Sequence, residues 1–273
     1  MSEKEKYYGE VWFPENETAR FFCVLSFKDS SVLLETNLVE EIPRHKYLKI
    51  IGVFTKLGYL TFLDCEVLLH SSGMIYYAIY KPKYTFTFDD HCIDPLKLKV
   101  KKFCVSNNAI KNWRRPKVNF DRVNKSVKLD QEERHLLHVE KIKLSIEIIF
   151  NNSYQVSGNG FTLKNNSYIK FEPESPINIA GAFDMYDRTQ KLIQFISGNT
   201  EQFSSFEIQC SESGGWGTVF FQELSYKDTR SIYFTTNFQE IIPYLPNLFH
   251  HIFCNESFHF CIEKLLDNQI KGQ

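Results

Sequence analysis

The chain has 273 residues, 43% of them hydrophobic and 15% aromatic, which supplies enough apolar surface for a sizeable core and excludes wholesale disorder. Its 32 basic and 33 acidic residues give a formal net charge of -1, so no global field attracts nucleic acid or a membrane. Seven scattered cysteines form no CxxC pair, which favours a reducing compartment over a disulfide framework. The sequence shows neither a signal peptide nor about 18 consecutive apolar residues, so we expect a cytoplasmic protein without a membrane span.

Alternation of apolar and polar residues with a period of two dominates about the first 175 positions and predicts half-buried strands. In one example, Phe21, Cys23, Leu25 and Phe27 share a face. Short polar connections between the strands predict antiparallel pairing. The predicted strands cover residues 21–27, 32–38, 49–55, 59–69, 75–80, 84–88, 96–105, 142–148, 206–210, 218–224 and 231–235.

Apolar residues recur at helical spacing from Ala182 to Ile196, which predicts one long amphipathic helix ending at Gly198. The pattern is helical again from Phe238 onward, with interruptions near Pro243 and Pro246. We therefore predict a mainly β (α+β) fold of antiparallel, sandwich-like sheets with one long amphipathic helix and a helical C-terminal segment. The predicted organisation is a β-rich domain at 1–240 and a helical segment at 241–273.

No standard catalytic signature occurs: GxSxG, HExxH, a Walker loop and GxGxxG are all missing from the sequence. His135 and His138 lie close together in a run of charged residues, but on a strand they face opposite ways. Such a strand end is typical of a solvated or partly buried segment. We therefore predict no catalytic residue and no cofactor for this chain.

Toward the C-terminus, His250, Cys254 and Cys261 fall on one face of a continuous helix, because steps of four and seven residues align. This is the best soft-metal constellation in the chain. The spacing matches no closed zinc module, however, and the neighbouring residues are typical of a core. The prediction is structural packing, with no metal bound.

The most informative local feature is the basic segment, residues 97–128, which holds eleven Lys or Arg against one acid, Asp121. Alternation predicts a lysine stripe on one strand face, followed by an aromatic and guanidinium cluster of the kind that stacks bases and contacts phosphates. The alternative is a solvated sheet face with a basic loop. The candidate residues for nucleic-acid or partner binding are Lys97, Lys99, Lys101, Lys102, Trp113, Arg114, Arg115 and Lys117.

Several short motifs, in order and spacing, resemble the N-terminal domain of ApeA-type proteins. They are YGEVWFP at 8–14, the strand pair at 22–27 and 32–38, IGVF at 51–54, GYLTFLDC at 58–65, IKFEP at 169–173 and QKLIQFIS at 190–197. The resemblance spans residues 7 to 240, with unmatched segments between. It implies an anti-phage defence protein of the abortive-infection kind, in which a β-rich N-terminal region precedes a helical HEPN ribonuclease.

HEPN catalysis, as the resemblance implies, uses an Arg and a His separated by four to six residues on one helix. The nearest pair here, Arg134 and His138, has three residues between and lies in a strand-like segment. We therefore expect a non-catalytic sensing or regulatory module whose parent protein carries a HEPN domain that is absent from this chain. RNA or a phage-derived trigger is the expected partner. The alternatives are a nucleic-acid-binding module that uses the basic segment, and a stand-alone hydrolase with an unrecognised site.

Overall fold

The computed structural model describes residues 5–28, 31–37, 48–71, 77–88, 94–114, 118–121, 123, 126–129, 132–157, 160–198, 201–210, 216–221 and 238–271. The chain divides into two compact units. Unit 1 comprises Met1–Leu98 and Glu207–Lys227, and unit 2 comprises Lys99–Phe206 and Asp228–Gln273. The predicted domain boundary at residue 240 stays a prediction.

Antiparallel strands form 47% of the chain and are accompanied by a few helices, so the predicted mainly β (α+β) fold is confirmed. In chain order the strands are β1 Glu5–Trp12, β2 Phe21–Lys28, β3 Ser31–Thr36, β4 Ile50–Phe54, β5 Gly58–Leu63, β6 Glu66–Ser71, β7 Tyr77–Lys81, β8 Tyr84–Phe88, β9 Lys99–Ser106, β10 Val118–Asp121, β11 Ser126–Leu129, β12 Glu133–Val139, β13 Leu144–Phe150, β14 Asn152–Ser157, β15 Gly160–Asn165, β16 Tyr168–Pro173, β17 Ile177–Asn178, β18 Ser205–Cys210 and β19 Trp216–Phe221.

Unit 1 is built on one antiparallel sheet with the strand order β19-β8-β5-β4-β1-β2-β3-β7-β6. One face carries its main apolar cluster, because alternation along each strand directs one set of apolar residues to that side. Gly9 of β1 permits close contact with β4: a Cβ there would lie 2.1 Å from the carbonyl oxygen of Val53. The cluster residues are Val11, Phe13, Cys23, Leu25, Val32, Leu34, Ile50, Phe54, Leu60, Phe62, Cys65, Ala78 and Tyr80.

Unit 2 contains a sheet with the order β12-β13-β16-β9, with the short β17 also paired to β9. Five helices accompany the sheet among the residues described: α1 Asn108–Trp113, α2 Ile179–Ser197, α3 Phe238–Ile241, α4 Leu245–Cys254 and α5 Glu256–Lys271. Aromatic pairs hold helices α2 and α4 over the apolar face of this sheet. These pairs are Phe171–Phe249 at 6.3 Å, Phe103–Phe206 at 5.6 Å and Tyr186–Phe206 at 4.9 Å between ring centroids.

Helix α2 is the predicted long amphipathic helix, and its ends follow the expected signals. The side chain of Asn178 accepts a hydrogen bond from the backbone N–H of Gly181 at 2.8 Å, which caps the first turn. Gly198 ends the helix with φ of 64°, a left-handed conformation that costs glycine little. The apolar stripe, which includes Ala182, Leu192 and Ile196, is buried.

The structure corrects two of the predicted strands. The strand predicted at 59–69 is broken between β5 and β6, where Asp64 has a positive φ of 53°. Ile142 lies in the 3-10 turn Glu140–Ile142, and Lys143 with φ of 50° leads into β13. The strand predicted at 231–235 lies outside the described residues.

Candidate functional site

The basic segment does not begin as a strand. Lys97 lies in the 3-10 turn Pro95–Lys97, and β9 starts only at Lys99. The ammonium Nζ of Lys97 is 3.3 Å from Oδ2 of Asp94. Burial opposes the charge of Asp94, but Lys49 and Lys97 outweigh it and hold the pKa of Asp94 below its ordinary value. The prediction that Lys97 belongs to a strand stripe is therefore wrong.

The lysines of β9 divide between its two faces. Lys99 and Lys101 are exposed on either side of the buried Val100. Lys102 points the opposite way from both, and its Nζ lies 2.9 Å from Oε1 of Glu172 on β16. Lys102 is thus committed to an ion pair, whereas contact of Lys99 and Lys101 with nucleic acid stays a prediction.

Trp113 belongs to the interior of unit 2. Helix α1 begins at the cap residue Asn107, whose side chain accepts a hydrogen bond from the backbone N–H of Ile110 at 2.9 Å. The helix then places Trp113, which is 4% exposed, edge-on to Phe238 with ring centroids 5.0 Å apart. The predicted exposed aromatic cluster is therefore wrong at this residue, because the indole ring is not available for stacking on a base.

Arg114 is also turned inward. Its side chain is 9% exposed and forms an ion pair with Oε2 of Glu133. The other carboxylate oxygen of Glu133 lies 2.6 Å from Nε2 of His135, so one carboxylate bridges two basic side chains. The guanidinium Cζ also lies 5.9 Å from the Phe150 ring centroid. This arrangement stabilises the core and offers no guanidinium for a phosphate; the remaining candidates, Arg115 and Lys117, lie outside the described residues.

Arg134 and His138 lie on the exposed face of β12, as alternation predicts. They are four residues apart on an extended strand, which separates their Cα atoms by about 13 Å. Arg134 forms an ion pair with Glu132 and another with Glu147, and His138 Nδ1 lies 3.2 Å from the hydroxyl of Ser145. The geometry differs from that of two residues on adjacent turns of one helix, and we assign neither residue a catalytic role.

The same polar face centres on Glu147, whose side chain is 15% exposed. Lys170 Nζ lies 2.5 Å from Oε2 of Glu147 and is the largest cause of its lowered pKa. The pKa of Lys170 is raised in return, above all by its hydrogen bond to Glu147. Opposite charges on neighbouring strands stabilise the strand register, so this face is a network of paired ions and not a cationic surface.

A pair of cations on α2 joins that helix to α5, an arrangement that we call the α2–α5 clamp. Lys191 Nζ lies 2.7 Å from Oδ2 of Asp187 on its own helix and 2.9 Å from Oε1 of Glu263 on α5. Burial opposes the charge of Lys191, but these two hydrogen bonds outweigh it and raise the pKa of Lys191. Lys191 is 21% exposed, so the ion pair is partly shielded from water.

Arg188 forms the second half of the α2–α5 clamp. Its Nη2 donates to Oε1 of Glu256 at 2.9 Å, and Nη1 donates to the carbonyl oxygen of Ile252 at 3.2 Å. Asp184, one turn earlier on α2, accepts from Nε of Arg188 at 2.9 Å and orients the guanidinium. Within α2, each basic residue of the clamp follows an acidic residue by four positions. This spacing is a sequence signal for the pairs inside α2, but it does not indicate the partners on α5.

The three candidate metal ligands do not share a helical face. Helix α4 ends at Cys254, Asn255 is extended with φ of -129°, and α5 starts at Glu256. His250 and Cys261 are thus on different helices, and both are exposed. Within the described ranges, no group of three or more His, Cys, Asp or Glu residues is arranged to hold a metal ion. The prediction of a single helix through these residues is wrong.

These observations define a mainly β module whose C-terminal helices are docked onto a sheet through apolar and ionic contacts. The family model described as ApeA N-terminal domain 1 matches residues 6–253, and the chain belongs to that family. It is therefore a module of an anti-phage defence protein, one whose parent has other domains. No curated protein and no solved structure matches the chain. Among the residues that the structure describes, no helix is both long and apolar enough to cross a bilayer.

Proposed function

We propose that this chain is the sensing or regulatory module of an abortive-infection HEPN ribonuclease, and that it acts without catalytic residues of its own. The observation that supports the proposal is the position of α5. The family match ends at residue 253, whereas α5 comprises Glu256–Lys271 and is held on α2 by the α2–α5 clamp. Helix α5 lies after the matched region and is docked on the module. It could therefore couple the module to the other domains of the parent protein.

The α2–α5 clamp suits this coupling because its ion pairs are only partly buried. Glu256 and Glu263 are 76% and 41% exposed, while Arg188 and Lys191 are 12% and 21% exposed. Pairs of this kind contribute modestly to stability, about 0–1 kcal/mol when exposed, so a trigger can change the docking of α5 without unfolding the module. A change in α2 would therefore alter the position of α5.

Charge reversal at the clamp tests this proposal in the natural full-length protein. Lys191→Glu places two carboxylates of α2 opposite Glu263 and should abolish protection of cells against phage at normal expression. The double variant Lys191→Glu with Glu263→Lys restores opposite charges and should recover protection. The matched control is Lys264→Glu, because Lys264 is 57% exposed and its ion pair is with Asp267 of the same helix. Full protection by the Lys191→Glu protein would contradict the proposal.

The two alternatives from the sequence remain predictions. Nucleic-acid binding by the basic segment now depends on Lys97, Lys99 and Lys101 among its described candidates, because Lys102, Trp113 and Arg114 are engaged within unit 2. A hydrolase would need converging titratable groups and a substrate pocket, and the contacts above supply no specific support for that function.

A further inference from the structure

Unit 1 exposes aromatic rings on the outer face of its sheet. Tyr8 on β1 is 54% exposed, Phe22 on β2 is 58% exposed and Tyr59 on β5 is 36% exposed. We call these three residues the aromatic platform. Single exposed apolar side chains are common on proteins, so it is the grouping of these three rings on one sheet face that indicates a binding surface.

Strand register places the aromatic platform on one side of four neighbouring strands. Glu10 on β1 is opposite both Phe22 on β2 and Val53 on β4, and Val53 is opposite Tyr59 on β5. Side chains of directly opposed residues point to the same face, and Tyr8, two residues before Glu10, shares it. The platform therefore crosses strands β2, β1, β4 and β5 in that order.

Two of the rings lie almost parallel. The Tyr8 and Phe22 ring planes are 21° apart, with centroids separated by 6.3 Å. The backbone of Tyr8 is held by Thr55, the residue after β4, because the carbonyl oxygen of Tyr8 accepts hydrogen bonds from the backbone N–H of Thr55 at 3.0 Å and from the Thr55 hydroxyl at 3.1 Å. Exposed, nearly parallel rings on a sheet are suited to planar groups, since bases stack on aromatic side chains.

Cations surround the aromatic platform. Lys6 is exposed on the same face as Tyr8, and Lys56 is exposed in the turn that follows Thr55. Arg20 is 45% exposed and its guanidinium lies over the Trp12 ring at 4.5 Å, with Glu10 3.7 Å away as its acidic neighbour. Lys6 and Lys56 supply positive charge for phosphates at the Tyr8 end of the platform. Arg20 is paired with Glu10, and Glu35, which is opposite Val24, places a second carboxylate on this face.

We propose that the aromatic platform binds single-stranded nucleic acid, with bases stacked on Tyr8 and Phe22 and phosphates near Lys6 and Lys56. This inference does not depend on the proposed regulatory role. Single strands fit because their bases are unpaired and free to lie on a sheet, whereas a duplex hides its base faces. The basic segment is a separate candidate, and all of its residues from Lys99 onward lie in unit 2.

Fluorescence anisotropy with labelled 12-nucleotide oligouridine and oligothymidine, across a salt series, tests the proposal on the whole chain. Each alanine variant, Tyr8→Ala and Phe22→Ala, should weaken binding about 5- to 100-fold, the range of a lost base stack. Phe22→Trp should retain binding and Phe22→Leu should lose it, which separates stacking from apolar contact. A logarithmic salt slope of about -1.4 is expected if Lys6 and Lys56 each contact a phosphate.

Two matched controls locate the site. Leu68→Ala removes an apolar side chain of unit 1 that is 50% exposed but lies on β6, and binding should not change. Lys101→Glu tests the basic segment, and binding to the platform should again persist. The proposal is overturned if neither oligonucleotide binds at low salt, if Phe22→Leu binds like the native chain, or if a duplex of equal length competes as well as a single strand. The ratio of uridine to thymidine affinity then distinguishes an RNA from a DNA ligand.

Discussion

Trp113→Ala distinguishes a core residue from a nucleic-acid contact. Full burial of a Trp removes about 150–250 Å² from water, which is worth about 4–6 kcal/mol. Trp113 is 4% exposed, but its indole Nε1 is buried without a hydrogen-bond partner among the described residues, a state that costs about 1–3 kcal/mol. Because the substitution also removes this cost, we expect the free energy of unfolding to fall by about 3 kcal/mol.

Urea denaturation followed by circular dichroism measures this change. Trp113→Phe keeps a ring against Phe238 and removes the unpartnered N–H, so it should cost less than about 1.5 kcal/mol. The matched control is Trp216→Ala, because Trp216 is 42% exposed and should lose clearly less than Trp113. An unchanged unfolding midpoint for Trp113→Ala, together with weaker RNA binding, would refute the assignment of this residue to the core.

Three further predictions concern single contacts. Glu133→Gln should lower the free energy of unfolding by about 2 kcal/mol, because Arg114 would lose its carboxylate while 9% exposed; urea denaturation measures this. Lys191 holds the pKa of Glu263 below its ordinary 4.5, so their stabilising contribution is complete above that pH and is lost as the pH falls through the lower folded-state pKa. Acid unfolding of Glu263→Gln should therefore lack this pH-dependent loss. Gly9→Ala should cost about 3 kcal/mol or more, since its Cβ would meet a backbone carbonyl oxygen at 2.1 Å; thermal unfolding measures this.

Two control variants, one for the ion pairs and one for the glycine, should show little effect. Glu174→Gln removes an ion pair with Lys143 in which both side chains are more than 60% exposed, so its cost should stay below about 1 kcal/mol. Gly58→Asn keeps a residue tolerant of positive φ at a position where a Cβ meets nothing within 4 Å. Equal losses for test and control variants would contradict the reasoning from burial.

The sequence predicts well those elements whose signals are local. Helix α2 is an example, since an apolar stripe, the cap Asn178 and the terminal Gly198 all lie within a few residues of it. Alternation likewise predicted β2 and β8 close to their observed bounds. The break at Asn255 was missed, although its side chain accepts from the backbone N–H of Phe258 at 3.2 Å and the residue type is a good helix cap.

The candidate site was harder to predict because its partners are distant along the chain. Arg114 stands among lysines and arginines, and nothing nearby in sequence indicates that Glu133 will neutralise it. Trp113 packs on Phe238, which follows after many intervening strands. A high local density of charged residues in the sequence does not show which side chains are exposed. Exposure depends on which strands pair and in which register, and a single sequence does not state that pairing.

A count of basic residues in the sequence and the observed exposure of aromatic rings are therefore different kinds of evidence for a binding site. In the basic segment, Lys97, Lys102 and Arg114 each have an acidic partner, so a count of lysines and arginines overstates the free positive charge. Tyr8 and Phe22 stack on each other, and both stay more than half exposed. Full burial of a Phe side chain is worth about 1.5–3 kcal/mol, and Phe22 is 58% exposed. This unburied apolar surface on one sheet face is the surface that the proposed nucleic-acid ligand would cover.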